Sequence, residues 1–299
     1  MNAQETAVPL PESPKVLRFP EPSQSDLRLV VPREHGAWAL WLLPLISGGI
    51  AGYFSAPRSA VAPALWFSLV AVCAFLVHQP LETLLDVSVL RLRSLHEQRV
   101  AVFWVMGLTA MASLGVLELL RLHRGLIFVF AGMALSSFAL GALFGRTRSL
   151  RVSKQHVGAL GLTSTAAGAY YVTTGRIDGT ALLLWLATWL FASSQIEYVQ
   201  LRLHTANVNS RLRKIKAGWK VCFLHLLLLG AAISIQAVTK TAPLFNLLFV
   251  PAAVRLVVWM LRPARPLRLY LLGMSELFQS ILFNALLTGA FLMHAWALT

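Results

Sequence analysis

The chain has 299 residues, of which 57% are hydrophobic and only 13% are charged, whereas about a quarter of the residues of an average soluble domain are charged. Its 26 lysines and arginines outnumber the 12 aspartates and glutamates, but they lie in short runs between apolar stretches and do not form the basic stripe of a nucleic-acid-binding domain. Composition therefore excludes a water-soluble domain and a nucleic-acid partner, and it indicates a protein whose main partner is the lipid bilayer.

Residues 1–31 form a polar, proline-rich segment at the start of the chain. This segment lacks the apolar core that a secretory signal peptide needs. We expect it to be a disordered cytoplasmic tail, followed by a transmembrane domain over residues 32–299.

Nine stretches of residues 32–299 are long and apolar enough to cross a hydrocarbon core about 30 Å thick as helices, which satisfy their own backbone hydrogen bonds in lipid. The predicted spans are residues 37–54, 61–79, 100–119, 125–144, 157–174, 179–198, 218–238, 243–262 and 274–297. The sequence therefore predicts an all-α fold, a polytopic membrane bundle of about nine transmembrane helices.

The basic residues between the spans predict the orientation of the bundle, because cytoplasmic loops carry an excess of lysine and arginine. The tail and the even-numbered loops hold 20 basic residues, and the odd-numbered loops hold five. We therefore expect a multi-pass protein of a bacterial-type inner membrane, with its N-terminus in the cytoplasm and its C-terminus outside.

Polar residues enter the predicted spans mainly from the cytoplasmic side. Ionisable groups are costly at membrane depth, so each of them is a functional candidate. The residues concerned are Glu34, His35, His78, Glu82, Asp86, Gln195, Glu197, His225, Arg255 and Glu276. Their depth predicts a polar cavity that opens towards the cytoplasm. The alternative is that long side chains reach water from the helix ends.

Three polar residues at the end of span two have a helical spacing. His78, Glu82 and Asp86 are each four residues apart, which places them on one helix face; a solvated helix end is the alternative.

A short internal repeat follows spans two and six. The stretch Asp86–Arg93 resembles Glu197–His204, because both read acidic-x-x-x-Leu-Arg-Leu. An even number of intervening spans keeps both stretches on one side, as in a parallel repeat, although chance also produces matches this short.

A polar stripe runs along span nine. Its members, each four residues apart, are Glu276, Ser280, Asn284 and Thr288. Stripes of this kind join neighbouring helices by hydrogen bonds more often than they bind a substrate. We therefore expect this one to serve helix packing.

The segment Pro32–Leu40, PREHGAWAL, runs into an apolar helix that contains Pro44 and the pair Gly48-Gly49. It resembles the opening signature of the YwiC-like membrane proteins, and Glu197–Leu203 resembles the basic stretch after a later span in that family. The resemblance implies a multi-pass membrane protein with the same order of spans, and it carries no activity with it.

The predicted architecture is more distantly similar to the UbiA-type prenyltransferases. These enzymes have nine spans and two Asp-rich motifs after spans two and six, where Mg²⁺ bridges carboxylates to a prenyl diphosphate. At the place of the first motif this chain offers Glu82 and Asp86, and at the second it offers Glu197. The similarity implies a UbiA-like arrangement and, if the chain is an enzyme, a transferase with degenerate carboxylate motifs. Three carboxylates are few for a two-metal site, so the architecture does not carry the activity across.

The candidate site residues fall into three groups. The catalytic candidates are Glu34, His35, His78, Glu82, Asp86 and Glu197. The candidates for substrate binding are Arg33, Arg91, Arg93, Arg202 and Arg255, since arginine binds phosphate by paired hydrogen bonds. The candidate ligands for Mg²⁺ are Glu82, Asp86 and Glu197.

Three functions remain open on the sequence alone. The first is binding or processing of a lipid or isoprenoid in a cavity open to the cytoplasm. The second is a small-molecule transporter or permease, which needs a site near the midplane. The third is a non-catalytic membrane assembly factor. Enzymatic activity is therefore left undecided.

Overall fold

The computed structural model describes residues 29–31, 35–55, 61–85, 94–145, 150–206, 208, 210–239, 242–262 and 267–297. The described part is helical, with no strand among these residues. Its helices are α1 (His35–Ser55), α2 (Val61–Leu84), α3 (Leu95–Arg121), α4 (Ile127–Gly145), α5 (Arg151–Thr163), α6 (Thr165–Thr174), α7 (Gly179–His204), α8 (Arg211–Thr239), a 3₁₀ helix (Pro243–Leu247), α9 (Val250–Leu261) and α10 (Leu269–Ala297).

Eight segments of the described chain are long and apolar enough to cross a membrane: α1 to α4, α7, α8, the 3₁₀ helix joined to α9, and α10. They correspond to eight of the nine predicted spans. The prediction of an all-α membrane bundle is therefore confirmed.

The remaining predicted span, residues 157–174, is divided between α5 and α6 at Ser164. The hydroxyls of Thr163 and Ser164 donate to the carbonyls of Ala159 and Gly161 at 2.8 and 2.7 Å. Hydroxyls that bind carbonyls of the preceding turn compete with the backbone ladder and bend helices. From Arg151 to Thr174, α5, Ser164 and α6 cover 24 residues, which is about 36 Å at 1.5 Å per residue and enough for a ninth, interrupted crossing.

Several helices run farther than the apolar pattern predicts at one end of the bundle. The predicted second span stops at residue 79 but α2 continues to Leu84, and the predicted seventh span starts at residue 218 but α8 begins at Arg211. The hydropathy pattern reports the thickness of the hydrocarbon layer, whereas the backbone ladder continues into the interface. We call this end, where α1 begins and α7 ends, the basic end.

The centre of the bundle is the crossing of α1 and α6, and α1 also packs against α10. A Cβ atom at Gly48 would overlap the backbone carbonyl of Ala166, and one at Gly52 would lie 3.0 Å from the Cβ of Thr173. A Cβ at Gly49 meets nothing within 4 Å. The two glycines that are four residues apart therefore allow the backbones to approach closely, as small residues do in membrane helix pairs.

The last residues of the predicted tail are packed against the bundle. Leu29 and Val30 are buried beside Val100, with Leu76 and Trp104 at the edge of the same cluster. Residues 1–28 lie outside the described part, so disorder of the tail stays a prediction.

Candidate functional site

Glu82 in the last turn of α2 and Glu197, seven residues before the end of α7, each contact a side chain of α5. Glu82 Oε1 lies 3.0 Å from Lys154 Nζ and 3.7 Å from His78 Nε2. Glu197 Oε1 lies 2.9 Å from His156 Nε2. We call these contacts the α5 bridge, because they connect the start of α5 to two neighbouring spans at the basic end.

Glu82 and Glu197 contact two different residues of α5. Lys154 and His156 are two residues apart on one helix, so their side chains leave it in directions that differ by about 200°. The described residues hold no group of three or more His, Cys, Asp or Glu side chains that could bind a metal ion. Glu82 contacts an ammonium and Glu197 an imidazole, and Asp86 lies outside the described residues, so the Mg²⁺ site at these three carboxylates stays a prediction.

Several sequence candidates lie outside the described residues, and their roles stay predictions. They are Arg33, Glu34, Asp86, Arg91 and Arg93, together with the side chain of His35.

A second polar group lies among the last four helices, and its centre is Arg255 on α9. Its Nη1 donates to Glu276 Oε1 on α10 at 2.6 Å, and its Nη2 donates to Gln195 Oε1 on α7. The guanidinium lies 3.9 Å from the ring centroid of Tyr198. The side chains of Arg255 and Glu276 are only 13% and 16% exposed. Three helices thus meet at one charged group that is largely removed from solvent.

Two further cations lie next to this group, towards the basic end. Arg202, in the last turn of α7, donates to the hydroxyl of Tyr198 at 3.0 Å and lies 5.7 Å from the ring of Trp259. Lys214, in the first turn of α8, lies 5.6 Å from the same ring and donates to the carbonyl of Arg262 at 3.3 Å. Lys214 is only 4% exposed.

We call this group the α7–α10 cluster. Its members are Gln195, Tyr198, Arg202, Lys214, Arg255, Trp259 and Glu276. The cluster contains three cations and one carboxylate, and no described carboxylate forms an ion pair with Arg202 or Lys214.

Buried polar atoms without a hydrogen-bond partner concentrate in and beside the α7–α10 cluster. Among the described residues, five of the eight such atoms lie there: Gln195 Nε2, His225 Nε2, Arg255 Nε, Glu276 Oε2 and Gln279 Oε1. His225 is 2% exposed and close enough to Arg255 to interact with its charge. Native proteins leave few buried polar atoms unpaired, and those that remain require an explanation.

An apolar groove lies between α1 and α10, farther from the basic end than the α7–α10 cluster. Its volume is about 370 Å³, and its lining is Leu43, Ile46, Ser47, Ile50, Ile281, Asn284, Ala285, Thr288, Gly289 and Leu292. Ile46 and Ile281 are 47% and 48% exposed, so the groove opens on the outer face of the bundle. Two spans form its walls, and this outer face is therefore at membrane depth.

The polar stripe of α10 connects the two features. Glu276 pairs with Arg255 in the α7–α10 cluster. Asn284 and Thr288, which lie on the same face of α10 about two and three turns further along, line the groove. Asn284 Oδ1 accepts a hydrogen bond from Ser47 Oγ at 3.0 Å. The stripe thus joins α10 to α1, as expected for helix packing, and it also leads from the buried charges to the groove.

Sequence reasoning singled out Gln195, His225, Arg255 and Glu276 because they are polar at membrane depth. It did not single out Tyr198, Lys214 or Trp259. The sequence does contain a pattern that indicates the two aromatic residues. Aromatic and cationic residues are four apart on α7, at Tyr198 and Arg202, and on α9, at Arg255 and Trp259. Lys154 and His156 were missed as partners because both precede the predicted fifth span.

Comparison with known proteins finds one family. Residues 31–170 match the model of the YwiC-like protein family. The predicted resemblance to the YwiC-like proteins is confirmed over this segment, which contains the PREHGAW sequence, α1 to α5 and the first part of α6. No curated protein matches the chain. The groove and the α7–α10 cluster both draw on helices beyond the YwiC-like segment, and the similarity to UbiA-type prenyltransferases stays a prediction.

Proposed function

We propose that this protein is a YwiC-like multi-pass protein of a bacterial-type inner membrane that binds a lipid or isoprenoid. In this proposal the hydrocarbon chain lies in the groove between α1 and α10, and the head group lies in a cavity at the basic end. The excess of basic residues in the even-numbered loops supports a cytoplasmic position for that end.

The observation that carries the proposal is the groove. It is apolar except for Ser47, Asn284 and Thr288, and it opens at membrane depth. A groove of this kind in a soluble protein would bind an apolar ligand from water, but here the surrounding medium is itself hydrocarbon. A lipid chain is therefore the occupant that reaches the groove without leaving the bilayer.

The same geometry favours binding over phosphoryl or prenyl transfer. A transferase of the UbiA type would need carboxylates free to hold a cation, whereas Glu82 and Glu197 are paired with Lys154 and His156. A transporter receives less support, because the α5 bridge and the α7–α10 cluster both lie towards one end, and alternating access requires a site reachable from both sides.

The experiment compares bound lipid in two variants with the same substitution. Ala285 lies in the groove and Ala110 lies on α3, and both are exposed on the outer face. We expect Ala285→Trp to reduce the lipid that co-purifies with the protein, as measured by mass spectrometry, because the indole fills the groove. Ala110→Trp should leave the amount unchanged. Equal lipid content and composition in both variants and the wild type would reject the groove as a binding site and favour an assembly role.

A further inference from the structure

The α7–α10 cluster has an excess of positive charge that the described residues do not balance. It holds the cations of Arg202, Lys214 and Arg255 against the single carboxylate of Glu276. Arg202 and Lys214 are close enough to repel each other. Lys214 is 4% exposed and Arg202 is half-buried. Charges removed from water are stable only when they are paired and hydrogen-bonded, and these two cations have no counter-charge among the described residues.

The three cations also have more hydrogen-bond donors than the described acceptors use. A guanidinium has five N–H donors and an ammonium has three. Lys214 donates to one carbonyl, and Arg202 donates to one hydroxyl. The Nε of Arg255 is buried and has no partner. The unused donors of Arg202 and Lys214, which come from two helices and lie beside the same ring of Trp259, are therefore available to an acceptor group.

The position of the cluster matches the level of an interfacial head group. Arg202 and Lys214 lie in the terminal turns of α7 and α8, and Arg255 lies about 9 Å further in along α9, six residues before its end. The rings of Tyr198 and Trp259 lie beside these cations. Tyrosine and tryptophan are typical of this level of a membrane protein.

We propose that the α7–α10 cluster is a binding site for a phosphate group. A phosphate dianion supplies both missing charges, and its oxygens accept hydrogen bonds from several directions, which suits arginine and lysine. A single carboxylate supplies half of that charge. The phosphate belongs either to a lipid head group or to a soluble ion. If the phosphate belongs to a lipid, this inference rests on the proposed function and names the chemistry of the lipid's head group.

The test titrates inorganic phosphate into the full chain in a neutral detergent and follows heat and tryptophan fluorescence. We expect saturable binding, weakened about tenfold or more by Lys214→Gln and by Arg202→Gln, since hydrogen bonds to charged groups contribute about 1.5–3 kcal/mol. Lys216→Gln is the matched control, because Lys216 is exposed and two residues from Lys214 on the same helix. Arg202 lies in the last turn of α7, so its replacement leaves the core intact even if Lys214→Gln does not fold.

Absence of saturable binding, or an equal loss in Lys216→Gln, would overturn the phosphate site. A second arm repeats the titration in nanodiscs of phosphatidylcholine with and without phosphatidic acid. Competition by phosphatidic acid identifies the lipid head group as the source, and unchanged affinity identifies the soluble ion. Phosphate binding that persists while Ala285→Trp keeps its full lipid content would reject the proposed lipid function and leave the phosphate site standing.

Discussion

Arg255 and Glu276 form an ion pair between α9 and α10, with 2.6 Å between Nη1 and Oε1, although 21 residues separate them in the chain. Gln195 accepts from the other terminal nitrogen of the same guanidinium. This pair connects the phosphate site that we propose to the polar stripe of α10. Its stability is therefore the first property to measure.

We expect Glu276→Gln to destabilise the protein by about 3–5 kcal/mol, because it leaves the buried guanidinium of Arg255 without its counter-charge. The double variant Arg255→Met/Glu276→Met should be more stable than Glu276→Gln, since it removes both charges. Unfolding by dodecyl sulfate in mixed micelles, followed by circular dichroism, measures these differences.

The control for this prediction is the pair of Glu118 and Arg121 on α3. Its atoms are 2.5 Å apart, but the arginine side chain is 75% exposed. We expect Glu118→Gln to change the free energy of unfolding by no more than about 1 kcal/mol. A loss at Glu276→Gln as small as that at Glu118→Gln would contradict a buried, uncompensated charge.

Eight of the nine predicted spans and their order were predictable from the sequence, because apolar length is set by the thickness of the bilayer. The division of the fifth span was not. Residues 157–174 are continuous in hydropathy, and the break at Ser164 arises from hydroxyl hydrogen bonds within one turn. A hydropathy pattern contains no information about such local competition for carbonyls.

The sequence predicted some residues of the candidate site but not how they pair. Arg255 and Glu276 were both expected to be polar at membrane depth, and the structure joins them. Glu82 and Glu197 were expected to act together; each contacts a side chain of α5, and their joint role stays a prediction. Lys154 and His156 belong to a polar start of a helix that the sequence assigned to a loop. Pairing across helices depends on their rotation, which the spacing within one helix does not determine.

The crossing of α1 and α6 predicts different effects on stability for alanine at the adjacent glycines Gly48 and Gly49. We expect Gly48→Ala to cost about 1–3 kcal/mol or more, because the added methyl group overlaps the backbone carbonyl of Ala166 and the two helices must separate. Gly49→Ala meets nothing within 4 Å and should be neutral or stabilising by up to about 1 kcal/mol, since alanine is the better helix former.

The two alanine variants can be compared by the fraction that remains monodisperse on gel filtration after heating in detergent. Equal behaviour of the two variants would contradict the close contact between α1 and α6. The same result would remove the reason for assigning a packing role to the pair Gly48 and Gly52.

The orientation of the bundle is the last prediction, because the proposed function places the basic end in the cytoplasm. Ser210, before α8, and Ile177, between α6 and α7, are both exposed and lie at opposite ends of α7 and its neighbours. In a background with Cys73 and Cys222 replaced by alanine, we expect a membrane-impermeant maleimide to label Ile177→Cys in intact spheroplasts. Ser210→Cys should react only after the membrane is opened, because the basic loops stay inside. Labelling of Ser210→Cys alone in closed spheroplasts would invert the topology, and the phosphate site would then face the outer side of the membrane.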